Sequence, residues 1–327
     1  MLYHHQYCGV CIVINSILKL RYSDIGCRVA GVYCGIFVYA DDIVILSASR
    51  PGLQAMVDIC STYAKSHNLT FSVNIDVRKS KTKCIVFSNR AVNTANIAPI
   101  LLNGSILPWV DQVTHLGHIL QCDNSMNIDC NIKRGQFIGK VHSILQEFYF
   151  ATPTTLMKLI NIYATSFYGS NCYNMFSNSC DRLYRAWNVA VRQVYKVDRT
   201  CHRYLIQAIS ESLHPKVILC SRFIKFHENN LKCNKSVMRT LANICKVNIT
   251  TVYGNNLHRI SNECNVPVDR LTPQLVKSTM VYHDIPADQT WRLPIIREIL
   301  EIKSNSFEVL GFDYNELDEM LFDACTS

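Results

Sequence analysis

An α+β chain is expected, with antiparallel strands in the first 130 residues and helices in the remainder. Three observations carry that expectation. Up to about residue 120, short β-branched and aromatic runs alternate with turn signals. From about residue 131, apolar residues recur at helical spacing instead. The charge also changes by block. Residues 1–130 hold 10 Lys and Arg against 8 Asp and Glu, residues 131–246 hold 17 against 5, and residues 247–327 hold 6 against 12. A chain of 327 residues, 49% hydrophobic, can bury a substantial core over two or three domains, and these blocks place the boundaries at 1–130, 131–246 and 247–327.

Taken in order, Gly35-Ile36-Phe37-Val38-Tyr39 is interrupted by Ala40-Asp41-Asp42 and resumes as Ile43-Val44-Ile45-Leu46, which predicts strand, tight turn, strand over 35–46. Pro51 then opens an amphipathic helix with Leu53, Met56, Val57, Cys60, Tyr63 and Ala64 on one stripe. Leu69 to Val73 alternates like a half-buried strand. A further strand, Cys84-Ile85-Val86-Phe87, is expected after the basic run Arg78-Lys79-Ser80-Lys81-Thr82-Lys83. Asn103-Gly104 between apolar flanks predicts a type I′ hairpin.

Beyond residue 131, Leu156, Leu159, Ile160 and Tyr163 mark a helix expected to end near Gly169. Leu183, Trp187 and Val191, with Val194 or Tyr195, mark a second, in which Trp187 and Tyr184 read as core ahead of base stacking. Val217 to Phe226 and Val237 to Cys245 mark two more. The acidic end from Glu298 to Asp323 reads as a solvated tail or helix face. There is no internal repeat and no heptad run.

The net +12 of residues 131–246 fits a partner with a phosphate backbone, because Lys and Arg gain affinity there by releasing condensed counterions; charge alone fits a basic helical bundle equally well. Sixteen cysteines without a secretory leader imply no disulfide framework. Cys8-Gly9-Val10-Cys11, with His4 and His5 before it, lacks the second pair that a structural zinc needs, so no zinc is expected. The apolar run Val10 to Ile14 is far below the roughly 20 residues that span a bilayer. No membrane association is expected, and the place of action is intracellular, nuclear or cytoplasmic.

Two adjacent carboxylates at the tip of an otherwise apolar hairpin are costly unless a cation neutralises them. Mg²⁺ is the natural cation: a hard ion that takes carboxylate and phosphate oxygens, and a pair of such ions about 4 Å apart can activate a 3′-hydroxyl and stabilise a leaving pyrophosphate. The specificity lies in the whole frame Phe37-Val38-Tyr39-Ala40-Asp41-Asp42-Ile43-Val44-Ile45-Leu46. This frame resembles the catalytic hairpin of reverse transcriptases of the non-LTR, LINE-type retrotransposons. Three further stretches follow in the family's order. Leu53 to Phe71 is similar to the helix and strand after the hairpin, Lys79 to Phe87 to the lysine motif, and Trp109 to Gly117, within 101–120, to the hairpin that grips the primer.

The resemblance implies a partial antiparallel palm sheet with one packed helix and β-hairpins in 1–130, followed by a helical thumb and C-terminal region. It implies RNA template, DNA primer and deoxynucleoside triphosphates as partners, and Mg²⁺ as cofactor. By the same resemblance Asp41 is the hairpin's metal ligand, with Asp42 as its weaker neighbour. Tyr39 and Ala40 lie against the primer terminus and nucleotide, and Leu116 and Gly117 shape the primer grip. Lys79 matches the lysine that protonates pyrophosphate, a role for a flexible cation near phosphates. The interval from Asn74 to Lys79 is longer than the family's, so Lys81 stands as the alternative. Lys133, Arg134, Arg185, Arg192 and Lys196 are the residues expected to track a nucleic-acid backbone.

The family's palm also needs a metal-ligating Asp on an earlier strand, a Gly-Gln motif and a fingers domain, and none of these is legible before Gly35. Negligible polymerase activity of this chain by itself is therefore expected. Three readings remain open: a reverse-transcriptase fragment, a nucleic-acid-binding remnant without chemistry, and an inactive bystander.

Overall fold

The computed structural model describes residues 18–282, apart from Asp24, Asp41, Ile75, Val77, Arg78, Asn89, Ala91, His202 and Glu211. Asp41, the Cys8/Cys11 pair and the acidic tail lie outside the described residues.

Helices and small antiparallel sheets make up the described chain, which is α+β. Two compact units divide it. One draws on Met1–Ser125 and Asn230–Ile244, the other on Met126–Asn229 and Cys245–Ser327. The first division falls where helical periodicity takes over from alternation. Beyond residue 247, Leu257, Ile260, Leu271 and Val276 are buried in one core with Trp187 and Phe223.

In the first unit, four pairs of strands follow one another along the chain: β1 (Arg28–Val29) with β2 (Val32–Tyr33), β3 (Ile36–Tyr39) with β4 (Asp42–Ile45), β5 (Ile100–Leu102) with β6 (Ser105–Leu107), and β7 (Gln112–His115) with β8 (His118–Gln121). Each pair is a two-stranded antiparallel hairpin. A single sheet was expected; among the described residues, the backbone hydrogen bond from Cys27 N to Leu46 O, 3.2 Å, is what ties the β1–β2 hairpin to the β3–β4 hairpin. The expected Asn103-Gly104 turn is present, with φ of 53° and 81°, as type I′ requires.

The expected strands at 69–73 and 84–87 are extended segments and not ladders. Thr82 N donates to Ser72 O, and Cys84 forms a lone parallel bridge with Trp109. Cys84 N donates to Pro108 O and Val110 N to Cys84 O, and Pro108, without an N–H, returns no bond to Thr82 on the side before the bridge.

Helix α1 (Arg50–Ser66) is set by Ser49, whose hydroxyl accepts from Gly52 N, and by Pro51 in its first turn. Its predicted stripe is the buried one, and it serves two clusters. Met56 and Cys60 pack with Leu20, Tyr33 and Ile36, while Val57 packs with Cys84, Ile100, Leu102 and Leu107. A second stripe, Arg50, Gln54 and Ser61, holds the β5–β6 hairpin by polar contacts. The Gln54 amide accepts from Leu101 N and donates to Leu101 O, both at 2.8 Å, and Ser61 donates to Asn103 Oδ1.

The second unit is built from α2 (Asn127–Glu147), α3 (Pro153–Tyr163), α4 (Asn178–Tyr195), α5 (Arg203–Ser210), α6 (Pro215–Lys232), and, after α7 (Ser236–Val247), from α8 (Val252–Cys264) and α9 (Pro273–Tyr282). Helix α3 stops at Tyr163, six residues short of the expected cap at Gly169. The chain turns early because Phe167, at φ 40°, is buried against Phe137 at 5.9 Å between ring centres; Gly169, at φ 76°, precedes a 3₁₀ turn instead. Trp187 is fully buried, and Tyr184 is buried with its hydroxyl donating to Met175 O at 2.9 Å, so both are core as expected. Asn256 fastens the segment before α4, accepting from Met175 N and donating to Tyr173 O.

Candidate functional site

Pairing of Ile36 with Ile45, Phe37 with Val44, Val38 with Ile43 and Tyr39 with Asp42 fixes which way the β3–β4 hairpin faces. Ile36, Val38, Ile43 and Ile45 pack on the Met56–Cys60 cluster. Strand side chains alternate between faces, and residues opposite one another share a face, so Phe37, Val44, Tyr39 and Asp42 lie together on the other side. A one-residue slip would put Asp42 in the core, and the apolar set forbids it. Tyr39 is 68% exposed, and Asp42 is exposed. The two-residue connection is Ala40-Asp41. Ala40 has φ 52°, a left-handed conformation that costs a non-glycine residue about 1 kcal/mol or more.

The base of this hairpin is closed by Gly35. A Cβ there would lie 2.5 Å from the Tyr33 hydroxyl and 2.6 Å from the ring carbon bearing it, so only glycine lets Tyr33 pack beneath the strand. Burial pushes the Tyr33 phenol and the Cys60 thiol upward, the latter to about 11, which leaves Cys60 a neutral packing group.

The Asp42 carboxylate makes no hydrogen bond or ion pair among the described residues. An exposed carboxylate of this kind can contribute one oxygen ligand to a Mg²⁺ that keeps most of its waters. Asp41 lies outside the described residues. Among those described there is no group of three or more His, Cys, Asp or Glu side chains able to hold a metal ion.

The other groups expected at the site lie on separate pieces of the first unit. Lys79 and Lys81 are exposed in the bend where Lys79 N and Ser80 N donate to Asp76 O, and no hydrogen bond or ion pair joins either lysine to Asp42. Leu116 and Gly117 are the two central residues of the β7–β8 turn, with φ of 47° and 78°. Leu116 is thus an exposed apolar side chain at the tip of a type I′ turn, where Asn would be easier to place.

In the second unit, Arg134 on α2 and Arg185 on α4 are brought to the same groove, with Arg182 beside them. Arg185 pairs with Asp181 one helical turn away, and both are solvent-exposed. Arg192 is two turns further along α4, but its guanidinium donates to Cys201 O at 2.8 Å and so holds the loop after the helix. Lys196 is exposed at the C-cap of α4, and Lys133 is half-buried on α2 outside the groove. Sequence reading passed over Arg182, although its i, i+3 spacing from Arg185 was a usable signal. It also passed over Gly35 and Gln54, whose roles depend on contacts with Tyr33 and Leu101 that no local pattern announces.

Among the described residues no helix is long and apolar enough to cross a membrane. Compared with models of protein families and with curated proteins, the chain matches none.

Proposed function

We propose that this chain derives from a LINE-type reverse transcriptase, with the β3–β4 hairpin as the end of its palm and the second unit as its thumb, and that it binds RNA template and DNA primer. The observation that carries the reading is the hairpin's register. An apolar inner face presents Tyr39 and Asp42 side by side to solvent, at the two positions flanking a two-residue turn, as a site for a primer terminus and its metal would need. Two features support it: an exposed Asp42 carboxylate with no partner among the described residues, and a helical block carrying 17 basic against 5 acidic residues over 131–246. The setting for such a protein is the cell interior, nuclear or cytoplasmic.

In polymerase chemistry a primer 3′-hydroxyl attacks the α-phosphate of a deoxynucleoside triphosphate and pyrophosphate leaves. Mg²⁺, when bound, supplies the charge that activates the hydroxyl and stabilises the pyrophosphate. In this chain Tyr39 and Ala40 would meet the primer end and incoming nucleotide, Asp41 and Asp42 would orient the ion, and Lys79 or Lys81 would give a proton to pyrophosphate. Leu116 and Gly117 would hold the primer strand.

A two-ion cage needs a carboxylate beyond this adjacent pair, and the described residues around the hairpin bring none. We therefore propose binding without extension. The second reading, a nucleic-acid-binding remnant, shares that outcome and rests on the same basic block. Primer extension on an RNA template with Mg²⁺ tests the proposal, comparing the chain with its Asp41→Ala, Asp42→Ala variant. The proposal expects both to retain template–primer without adding nucleotides. Extension by the parent but not the variant would replace it with an active polymerase, and absence of retention at low salt would remove the nucleic-acid reading.

A further inference from the structure

The groove between α2 and α4 combines two chemistries. Ile138, Ala186 and Val189 give it an apolar floor and side, while Arg134, Arg182 and Arg185 ring a volume of about 310 Å³. The charges are poorly satisfied. Among the described residues Arg134 Nε is buried with no hydrogen-bond partner, Arg182 donates to Ser179 Oγ at 3.2 Å, and Arg185 meets Asp181 in an exposed pair of the kind that contributes little and exchanges readily. A ligand suited to this groove carries carboxylates and apolar groups together, which describes an acidic amphipathic segment laid along two helices.

The chain itself contains one. Between Glu316 and Asp323, Leu317, Met320 and Leu321 recur at i, i+3 and i+4, interleaved with Glu316, Asp318, Glu319 and Asp323. No Lys, Arg or His occurs after Lys303. The 33 residues between Tyr282 and Glu316 can extend to roughly 110 Å, so chain length does not restrict where the segment reaches.

We propose that residues 316–323 dock in cis in the α2–α4 groove, with Leu317, Met320 and Leu321 against its apolar floor and the flanking carboxylates on Arg134, Arg182 and Arg185. The pairing stands on the groove and the tail sequence, and holds whether or not the chain is a polymerase relative.

The test is photo-crosslinking in the full-length chain, with p-benzoylphenylalanine in place of Gln193, which lines the groove and is exposed. The expected product is an intramolecular crosslink to the peptide containing 316–323, weakening as salt is raised. It is lost in Glu316→Gln, Asp318→Asn, Glu319→Gln, Asp323→Asn, and lost again in Arg182→Glu, Arg185→Glu. Reversing the tail with Glu316→Lys, Glu319→Lys in that last background restores it, which a merely misfolded variant could not do. A crosslink between two copies that grows with protein concentration, one that ignores tail neutralisation, or none to the tail overturns the proposal.

Discussion

The Tyr39–Asp42 tip depends on residues that do no chemistry. Gly35 is the sharpest case, because an added methyl would meet the Tyr33 ring at distances real contacts do not show. Gly35→Ala is expected to cost about 1–3 kcal/mol by overpacking, read as a lower denaturant midpoint at unchanged slope. A stability change below about 0.5 kcal/mol would mean Tyr33 can move aside. Leu116 presents the opposite balance. Its left-handed φ is strained and its side chain is exposed, an arrangement kept at functional tips more often than elsewhere. Leu116→Asn is expected to raise stability by roughly 0.5–1 kcal/mol while weakening primer binding; a variant that gains stability and binds primer unchanged would remove Leu116 from the proposed grip. At this scale the turn between Tyr39 and Asp42 was legible in the local pattern, while Leu116 was singled out by the resemblance alone. Gly35 escaped because its constraint is a contact with Tyr33, across a bend in the backbone.

Among the elements, α1 is the organiser of the first unit, and its polar stripe matters as much as its apolar one. Gln54 satisfies both backbone groups of Leu101 on an exposed strand, in place of a neighbouring strand. Gln54→Ala is expected to destabilise the first unit by about 1 kcal/mol, with faster amide exchange at Leu101; Asp58→Asn, which keeps a partner for the Gln54 amide, is expected near zero. Equal effects from the two substitutions would contradict the strand-mimic account. The amphipathic stripe of α1 and the stripes of α4 and α6 were legible because 3.6-residue periodicity survives in any sequence that buries one helix face. The segments at 69–73 and 84–87 were misjudged for the complementary reason. Alternation reports burial on one side, while a ladder also needs a partner strand, and among the described residues the pairing of 84–87 stops at the one bridge from Cys84 to Trp109.

Across the whole molecule, buried thiols link stability to pH. Cys60 and Cys84 are held neutral by burial, each pushed up to about 11 from 9.0. A group whose folded value lies above its unfolded one stabilises fully below the unfolded value. That contribution is lost as pH rises through the folded value, so these thiols should weaken the first unit between about pH 9 and 11, on the order of 2 kcal/mol each. Cys60→Ala, Cys84→Ala should flatten the alkaline limb of a stability–pH curve even if its plateau is lower; an unchanged limb would assign the loss to other groups. The division of charge between a weakly basic first block, a strongly basic middle and an acidic end was plain in the sequence. The convergence of Arg134, Arg182 and Arg185 on one groove was not, since it requires α2 and α4 to pack together. The central claim, that this chain holds nucleic acid, is tested most directly by fluorescence anisotropy with an RNA-template, DNA-primer duplex over a salt series. The account predicts tight binding at low salt, a log–log slope of roughly −0.9 for each phosphate neutralised, and no change in Asp41→Ala, Asp42→Ala. Binding absent at low salt, or indifferent to salt, would contradict it.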